Sequence, residues 1–414
     1  MKNYDIAVIG GGASGLAAAI FAKRTAPSLS TAVIERLPKV GKKILATGNG
    51  RCNLSNVMVS TETYSGTCKE LLSSTQKFSV TDFFSSLGVI CEADSAGRVY
   101  PRCRSAASVL DALRLECERL GVVEICDTEV CGIDRKNLTG HLTIQIKGTD
   151  EKISAKKIIL AGGGKAQPSL GSNGSILDIC AGFGIKIVPP FPSLVPLRTD
   201  PKLVKPLKGQ RADADAMFYT HGKCVQHERG EVQFTDGLVS GICVFDLSYL
   251  YNLYSTKSEI RLDLLPDISE NAVAALLTSV RAIRAQTLSA DFLSGIFTRT
   301  LGAYIIKRAL LSPPEKTADI DDGMIKRIAS EIKMLSFPIL GTAGFDRAQL
   351  TGGGIAAEEL YDTFELRKIK GMYACGELLD IYGRCGGFNL DFAFSSGAAA
   401  GTNAALDAAR HGNI

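Results

Sequence analysis

No apolar run in this sequence approaches 18 residues, which leaves no candidate for a membrane-spanning helix. The opening "MKNYDIAVIG" goes straight from a strand-like run into glycines. It lacks the apolar stretch and small-residue cleavage site of a secretory leader. C-x-x-C pairs are absent: twelve cysteines are scattered from Cys52 to Cys385, and the four histidines do not cluster with them. Zinc and iron–sulfur sites need ligands paired at short spacing, so no metal site is expected. Many unpaired thiols fit a reducing compartment, and the expected location is cytoplasmic. Charge of one sign is also scarce in excess: 47 basic residues against 43 acidic ones give a net +4 without any Lys/Arg block. That balance argues against a nucleic-acid partner. Repeats and low-complexity tails are missing as well.

What is present is ordinary globular composition, 414 residues with 45% hydrophobic, which suggests two or three domains. "YDIAVI" reads as a short strand, "GGGASG" as a turn, "LAAAIFAKR" as a helix and "STAVIE" as a second strand. The turn carries Gly10-x-Gly12-x-x-Gly15, the dinucleotide spacing. Gly10 suits a tight turn, Gly12 a close backbone approach to a pyrophosphate, and Gly15 the packing of helix on strand. Ala13 and Ser14 open that helix, whose first N–H groups and positive dipole end favour phosphate. Glu35 ends the second strand 20 residues after Gly15, where a carboxylate accepts from ribose hydroxyls. It would repel a 2′-phosphate, so FAD or NAD is expected rather than NADP; the neighbouring Arg36 weakens that inference slightly. "LAGGGKA" and "LTGGGIA" lack the spacing, which disfavours a second full dinucleotide domain.

Residues 37–56 read as a long glycine-containing loop, residues 81–87 and 105–120 as helices, and "VICEAD" with "RVYP" as a hairpin. "VVEIC", "EVCGID", "HLTIQIKG" and "KKIILAGGG" suggest a small antiparallel meander returning to a parallel sheet. "VPPFPSLVP" has four prolines in nine residues and marks a boundary. The expected fold is α/β: a Rossmann-like nucleotide-binding domain split in sequence, residues 1–191 and 336–414, around an insertion. That insertion, 192–335, reads as β-rich and barrel-like to 265 and helical from 266.

Five blocks in order, "GKKILATGNGRCNLSN", "GRVYP", "PSLVPL", "GEVQFTDGLVSG" and "GMYACGELLDIYGRCGGFNLDFAFSSGAAAG", resemble the HI0933-like flavoprotein family across nearly the whole chain. The resemblance implies one FAD per chain. It implies that the "GRCN" loop wraps the pyrophosphate and flavin. There Lys42, Lys43 and Arg51 would be counter-charges, Thr47 and Asn53 hydrogen-bonding groups, and Gly48 and Gly50 points of close approach. Cys52 is expected to be packed or flavin-adjacent, with a lowered pKa and a redox role weighed beside that because of Arg51. Val130 matches a position where main-chain groups hold adenine. Ala161, Gly162 and Gly163 match a strand-end contact. Gly376 and Glu377 match a glycine–acid pair, and Gly386, Gly387, Phe388, Asn389 and Leu390 open a last helix toward the flavin N1/O2 region. Asp391 stands where the family usually has glutamine.

For proton donation the residues expected to border the flavin are Tyr100, Tyr382 and Arg384, each weighed equally against wall packing. His221 and His227 read as surface residues. The function these readings imply is an FAD-dependent oxidoreductase moving a hydride between a small organic substrate and flavin, with NADH or NADPH as transient donor and the insertion roofing the flavin. A reductase of C=C bonds leads, with an amine or aminoketone oxidase as runner-up. A tRNA-modifying flavoprotein and a non-catalytic flavin module are rivals of other classes.

Overall fold

A computed structural model describes residues 2–135, 140–254 and 257–410. Two compact units divide the chain: Met1–Pro192 with Gln349–Ile414, and Ser193–Ala348.

In the first unit, the leading strand β1 (Lys2–Ile9) is buried from Ile6 to Ile9, as expected of a strand covered on both faces. It pairs in parallel with β2 (Thr31–Ile34) on one side and Lys152–Leu160 on the other. Val123–Ile125 continues the parallel set beside β2. The other edge of Lys152–Leu160 is shared between two further neighbours. Its first half pairs antiparallel with Leu142–Ile146, and Ile158–Leu160 pair in parallel with Met372–Ala374. With Val130–Asp134 at the edge this makes a seven-stranded sheet. The meander and the mixed parallel sheet read from the sequence are thus both present.

Helix α1 (Ala13–Thr25) lies against the closing helix Phe388–Arg410. Small residues set their separation. A Cβ on Gly397 would stand 2.2 Å from the Ser14 carbonyl oxygen, and one on Gly401 2.2 Å from that of Ala18. The backbones therefore approach more closely than any side chain permits. The same helix is tied to the sheet by Asp407, which pairs with the buried Lys157 and accepts a 3.1 Å hydrogen bond from the Tyr373 hydroxyl.

Residues 37–56 are not wholly loop. Helix α2 (Lys42–Ala46) and a tight 3₁₀ turn occupy part of the stretch. Good helix formers in "KKILA", started by Gly41 in a left-handed conformation, account for the difference. The proline-rich Ile187–Ser193 is a strand, but only in a two-stranded pair with Leu350–Ile355, where missing N–H donors can face an open edge.

The second unit is a seven-stranded antiparallel sheet running in the order Leu335–Pro338, Ser258–Asp263, Arg211–Thr220, Lys223–Thr235, Leu238–Ser240, Leu197–Arg198, Gly341–Thr342. Helices Glu270–Ile283, Arg299–Ala309 and Asp322–Lys333 accompany it, each started by a side-chain oxygen cap from Ser269, Thr298 and Asp321. Its core is its own, centred on Phe218, Phe234, Phe292 and Phe337. Residues 336–348, expected with the closing part of the nucleotide-binding domain, belong here instead. The reason is that Leu335–Pro338 and Gly341–Thr342 pair into this sheet.

Candidate functional site

The glycine turn after β1 is constrained at two of its three positions by the chain itself. Gly10 has φ +105°, and a Cβ on it would lie 2.4 Å from the Ala161 carbonyl oxygen. A Cβ on Gly15 would lie 1.9 Å from the Gly10 carbonyl oxygen. Gly12 is different. Its φ of −81° and ψ of −166° suit any residue, and a Cβ there would meet no atom within 4 Å. The polypeptide makes no demand for glycine at this position, and open space lies in front of it. Behind it α1 begins, offering N–H groups without intrahelical partners.

The acid at the end of β2 closes this turn. Glu35 Oε2 accepts from the Gly11 N–H at 2.8 Å, and Oε1 from the Leu37 N–H at 2.9 Å. Expected to meet a ribose, Glu35 is seen to build the turn, and each of its oxygens keeps a second lone pair. Arg36 points instead to Glu129, 3.8 Å away, which also binds Lys147 at 2.9 Å. Val130 starts the edge strand Val130–Asp134 and pairs with Ile146, and Thr128, two residues before it, donates its N–H to the Glu35 carbonyl at 2.9 Å.

The loop of residues 41–53 is anchored to the same turn: the Gly41 N–H donates to the Gly11 carbonyl at 2.8 Å. Its lysines have partners. Lys42 donates to the Ser169 carbonyl at 3.1 Å, and Lys43 pairs with Glu377 at 2.8 Å. Glu377 in turn accepts from the Thr351 N–H at 3.0 Å. Thr47 donates to the Ile44 carbonyl at 2.7 Å. Gly48, Asn49, Gly50 and Cys52 all have positive φ, so the loop coils tightly. Arg51 is exposed, and its Nε donates to the Gly48 carbonyl at 3.1 Å. Cys52 is fully buried, and burial pushes its thiol up to about 11. Desolvation dominates, with the Thr47 hydroxyl only partly offsetting it, so the thiol is packed and the activated alternative weighed beside that reading is disfavoured. Asn53 is buried too, and its Oδ1 has no hydrogen-bond partner.

The C-terminal segment reaches both places. Gly376 (φ +69°) abuts Ser14, where a Cβ would lie 2.4 Å from the Ser14 hydroxyl oxygen; its N–H donates to Ser396 Oγ at 3.0 Å. Gly387 (φ +104°) abuts the 41–53 loop: a Cβ there would meet the Ser55 carbonyl oxygen at 2.2 Å and Asn53 Oδ1 at 2.7 Å. Gly386 has φ +124°, and its carbonyl accepts from Asn56 Nδ2 at 2.9 Å. Phe388 is buried, its carbonyl accepting from the Tyr64 hydroxyl at 2.6 Å, and Leu390 is half-buried. Asn389 spans a turn, its amide bonded to the N–H and carbonyl of Gly383. Ala161 donates its N–H to the Ile9 carbonyl at 2.8 Å; Gly162 leaves room for Ile176, and Gly163 has φ +71°.

Asp391 lies half-buried in the first turn of the closing helix and accepts a 2.5 Å hydrogen bond from the Ser55 hydroxyl. Burial raises its carboxyl to about 6, and the Ser55 hydroxyl only partly offsets that. Tyr100 is buried beside Gly48. Tyr382 is buried with its ring edge-on to Phe191 at 5.4 Å, while Arg384 is exposed. Asn53 was expected as a hydrogen-bonding group, whereas the Asp391–Ser55 pair and Arg104 beside Tyr100 carry no signal in the sequence. The four-residue spacing of Gly397 and Gly401 is a signal from which the close helix pair could have been read.

The fold and the turn define a Rossmann-like α/β protein whose nucleotide-type unit is assembled from both ends of the chain. The HI0933-like protein Rossmann domain model matches residues 4–403, and the chain belongs to the HI0933-like family. It is 34% identical over 97% of its length to 98% of the 3-dehydro-bile acid delta(4,6)-reductase of Clostridium scindens. It is 26% identical over 96% of its length to 97% of the ribosomal RNA dihydrouridine synthase of Haemophilus influenzae. Among solved structures, the 3-ketosteroid-delta4-(5alpha)-dehydrogenase of Rhodococcus jostii RHA1 shares the fold. Its TM-score is 0.52 at 17% identity, covering 98% of this chain and 97% of that one.

Proposed function

We propose that this chain is an FAD-dependent oxidoreductase that reduces a C=C bond conjugated to a carbonyl in a small organic molecule, with NADH or NADPH as donor. The observation that carries the cofactor reading is Gly12. A glycine that the chain needs for neither conformation nor packing, facing open space at a helix start, fits a backbone that must approach a pyrophosphate. The buried, unpartnered Asn53 Oδ1 is an acceptor waiting for a donor that the chain does not supply, which supports a ligand there.

In this reading residues 10–15 hold the pyrophosphate and Glu35 the ribose. Asn53, Gly387 and the first N–H groups of the closing helix surround the ring end, and Ala161–Gly163 and Gly376 allow the backbone to come close. Lys43 and Glu377 neutralise each other and position the loop rather than meeting phosphate. When bound, FAD supplies hydride transfer to the alkene. The chain must supply the proton for the neighbouring carbon, and Tyr100 and Tyr382, both buried, are the groups proposed for it.

The reaction class rests on the relatives. A delta(4,6)-reductase of a 3-oxo steroid and a synthase of dihydrouridine both saturate an alkene conjugated to a carbonyl. The second name also supports a second reading, the same chemistry on a uridine in RNA, although the net charge of +4 gives little electrostatic footprint. One experiment separates them. The protein is mixed anaerobically with NADH and NADPH, and bleaching of the flavin is followed. It is then offered a 3-oxo-4,6-diene steroid or unmodified rRNA. Bleaching by a nicotinamide and reoxidation by the steroid support the first reading; reoxidation by rRNA alone supports the second. Purified protein that neither carries flavin nor takes it up ends both.

A further inference from the structure

We propose that Arg51 and Arg104, gathered on the ring of Tyr100, form a binding site for an anionic group, carboxylate or phosphate, of the molecule that reacts with the bound flavin. The inference rests on the oxidoreductase reading above and adds the charge of its second ligand.

The guanidinium carbon of Arg104 lies 4.3 Å from the Tyr100 ring centroid, and that of Arg51 5.4 Å. Both residues are exposed and the ring is buried. Each cation is attracted by the face of an aromatic ring, but a ring does not neutralise two of them. The other arginines of this strand and its turn have carboxylates: Arg98 pairs with Asp94 at 2.8 Å and Arg102 with Glu92 at 3.5 Å. Among the described residues Arg51 and Arg104 have none. Two like charges are thus held on one ring without an anion, an arrangement that costs free energy until one arrives.

Both side chains are placed by local structure. The Nε of Arg51 donates to the Gly48 carbonyl at 3.1 Å. Arg104 adopts φ +51°, which is unfavourable for a residue with a Cβ, and its N–H donates to the Pro101 carbonyl at 2.8 Å. Guanidinium groups present planar forks of donors that match carboxylate and phosphate oxygens, and they do so better than ammonium groups. The place is relevant as well. A Cβ on Gly48 would lie 3.6 Å from the Tyr100 ring, and Leu54, just after Asn53, donates its N–H to the Val99 carbonyl at 2.8 Å. The site therefore borders the loop assigned to the flavin. Oxidised FAD carries its charge on the pyrophosphate, which the glycine turn serves, and the ring end faces the start of the closing helix, so a separate pair of cations calls for a separate anion.

Two sources share this chemistry, the phosphates of a nicotinamide dinucleotide and an acidic group of the substrate. The test compares wild-type holoprotein with Arg104→Gln, Arg51→Gln and Arg104→Lys. FAD content is read from the visible spectrum. The KM and kcat of flavin bleaching are measured with NADH and NADPH. Spectral titration then gives the Kd of a 3-oxo-4,6-diene steroid carrying a carboxylate side chain and of its alcohol analogue. The expected result is normal FAD content and a loss of about tenfold in affinity for one anionic ligand in the Gln variants, part of it restored by Lys. A fall in the acid-to-alcohol preference identifies the substrate as the source, and a rise in nicotinamide KM identifies the dinucleotide. Unchanged affinities in both arms overturn the proposal. So does loss of FAD from the Arg104 variant, since the pair would then serve the cofactor. If the wild type takes up no flavin, the oxidoreductase reading fails on its own. Calorimetric titration with inorganic pyrophosphate then still decides: binding by wild type that Arg104→Gln loses upholds the anion site, and equal or absent binding removes it.

Discussion

Replacing Gly12 separates what the fold needs from what the cofactor needs. With φ at −81° and no atom within 4 Å of a would-be Cβ, Gly12→Ala introduces neither strain nor overlap in the protein alone. Two small terms remain. Restricting the unfolded chain stabilises by about 0.4–1 kcal/mol, and alanine is a poorer helix N-cap than glycine by a similar amount. The net change in apoprotein stability should stay within about 0.5 kcal/mol, a shift of roughly 2 °C or less in Tm. The effect on FAD is of another size. A methyl group holds the pyrophosphate away from the N–H groups at the start of α1. Losing one or two charge-assisted hydrogen bonds of about 1.5–3 kcal/mol each weakens Kd by about 100-fold. Gly12→Val, bulkier, should retain no flavin through purification. The assay pairs thermal unfolding of deflavinated protein with fluorescence titration of FAD. Wild-type FAD affinity in Gly12→Val would refute the placement of the nucleotide, and a large fall in apoprotein Tm for Gly12→Ala would refute the claim that the fold is indifferent at this position.

Gly401→Ala tests the opposite kind of glycine. Its Cβ would lie 2.2 Å from a backbone oxygen of α1, so the helices must part, at a cost of about 1–3 kcal/mol that exceeds the gain in helix propensity; Tm should fall by several degrees. Asp391 gives a pH signature. Its carboxyl is raised to about 6 from 3.8, so the native state holds a proton that the unfolded state releases, and stability falls as pH rises through that window. Asp391→Asn should flatten urea-derived stability between about pH 4 and 6, by about 2–3 kcal/mol; an unaltered slope would count against a buried proton there. Cys52, raised to about 11 by burial, should react with iodoacetamide at pH 8 at least about 100-fold more slowly than the exposed Cys103, as mapped by peptide mass spectrometry. Early labelling of Cys52 would restore the activated-thiol reading.

The sheet and the glycine turn were legible because they rest on local signals: a short apolar run, glycines at fixed offsets, a helix of small residues, an acid at the end of the next strand. The family blocks extended this to the closing helix. The uses of individual side chains were not legible. Lys43 reads as a phosphate ligand until the chain brings Glu377 to it from 334 positions away. Cys52 beside Arg51 leaves an activated thiol open next to a packed one until the fold shows it fully buried, which raises its pKa. Arg104 carries no motif; its role follows from a turn that folds it onto Tyr100. The end of the insertion was misplaced for a similar reason, since short strands such as Leu335–Pro338 declare their sheet only through pairing.

The strand Lys152–Leu160 has a consequence for biosynthesis. Its second half remains without its outer neighbour until Met372–Ala374 is made, and α1 lacks its partner until the closing helix is complete. Every strand of the second unit lies within one contiguous stretch of about 150 residues, already translated by then. On the ribosome the inserted unit therefore matures first, while the nascent amino-terminal segment waits with an unfinished β-edge, the interval in which a chaperone would be of most use.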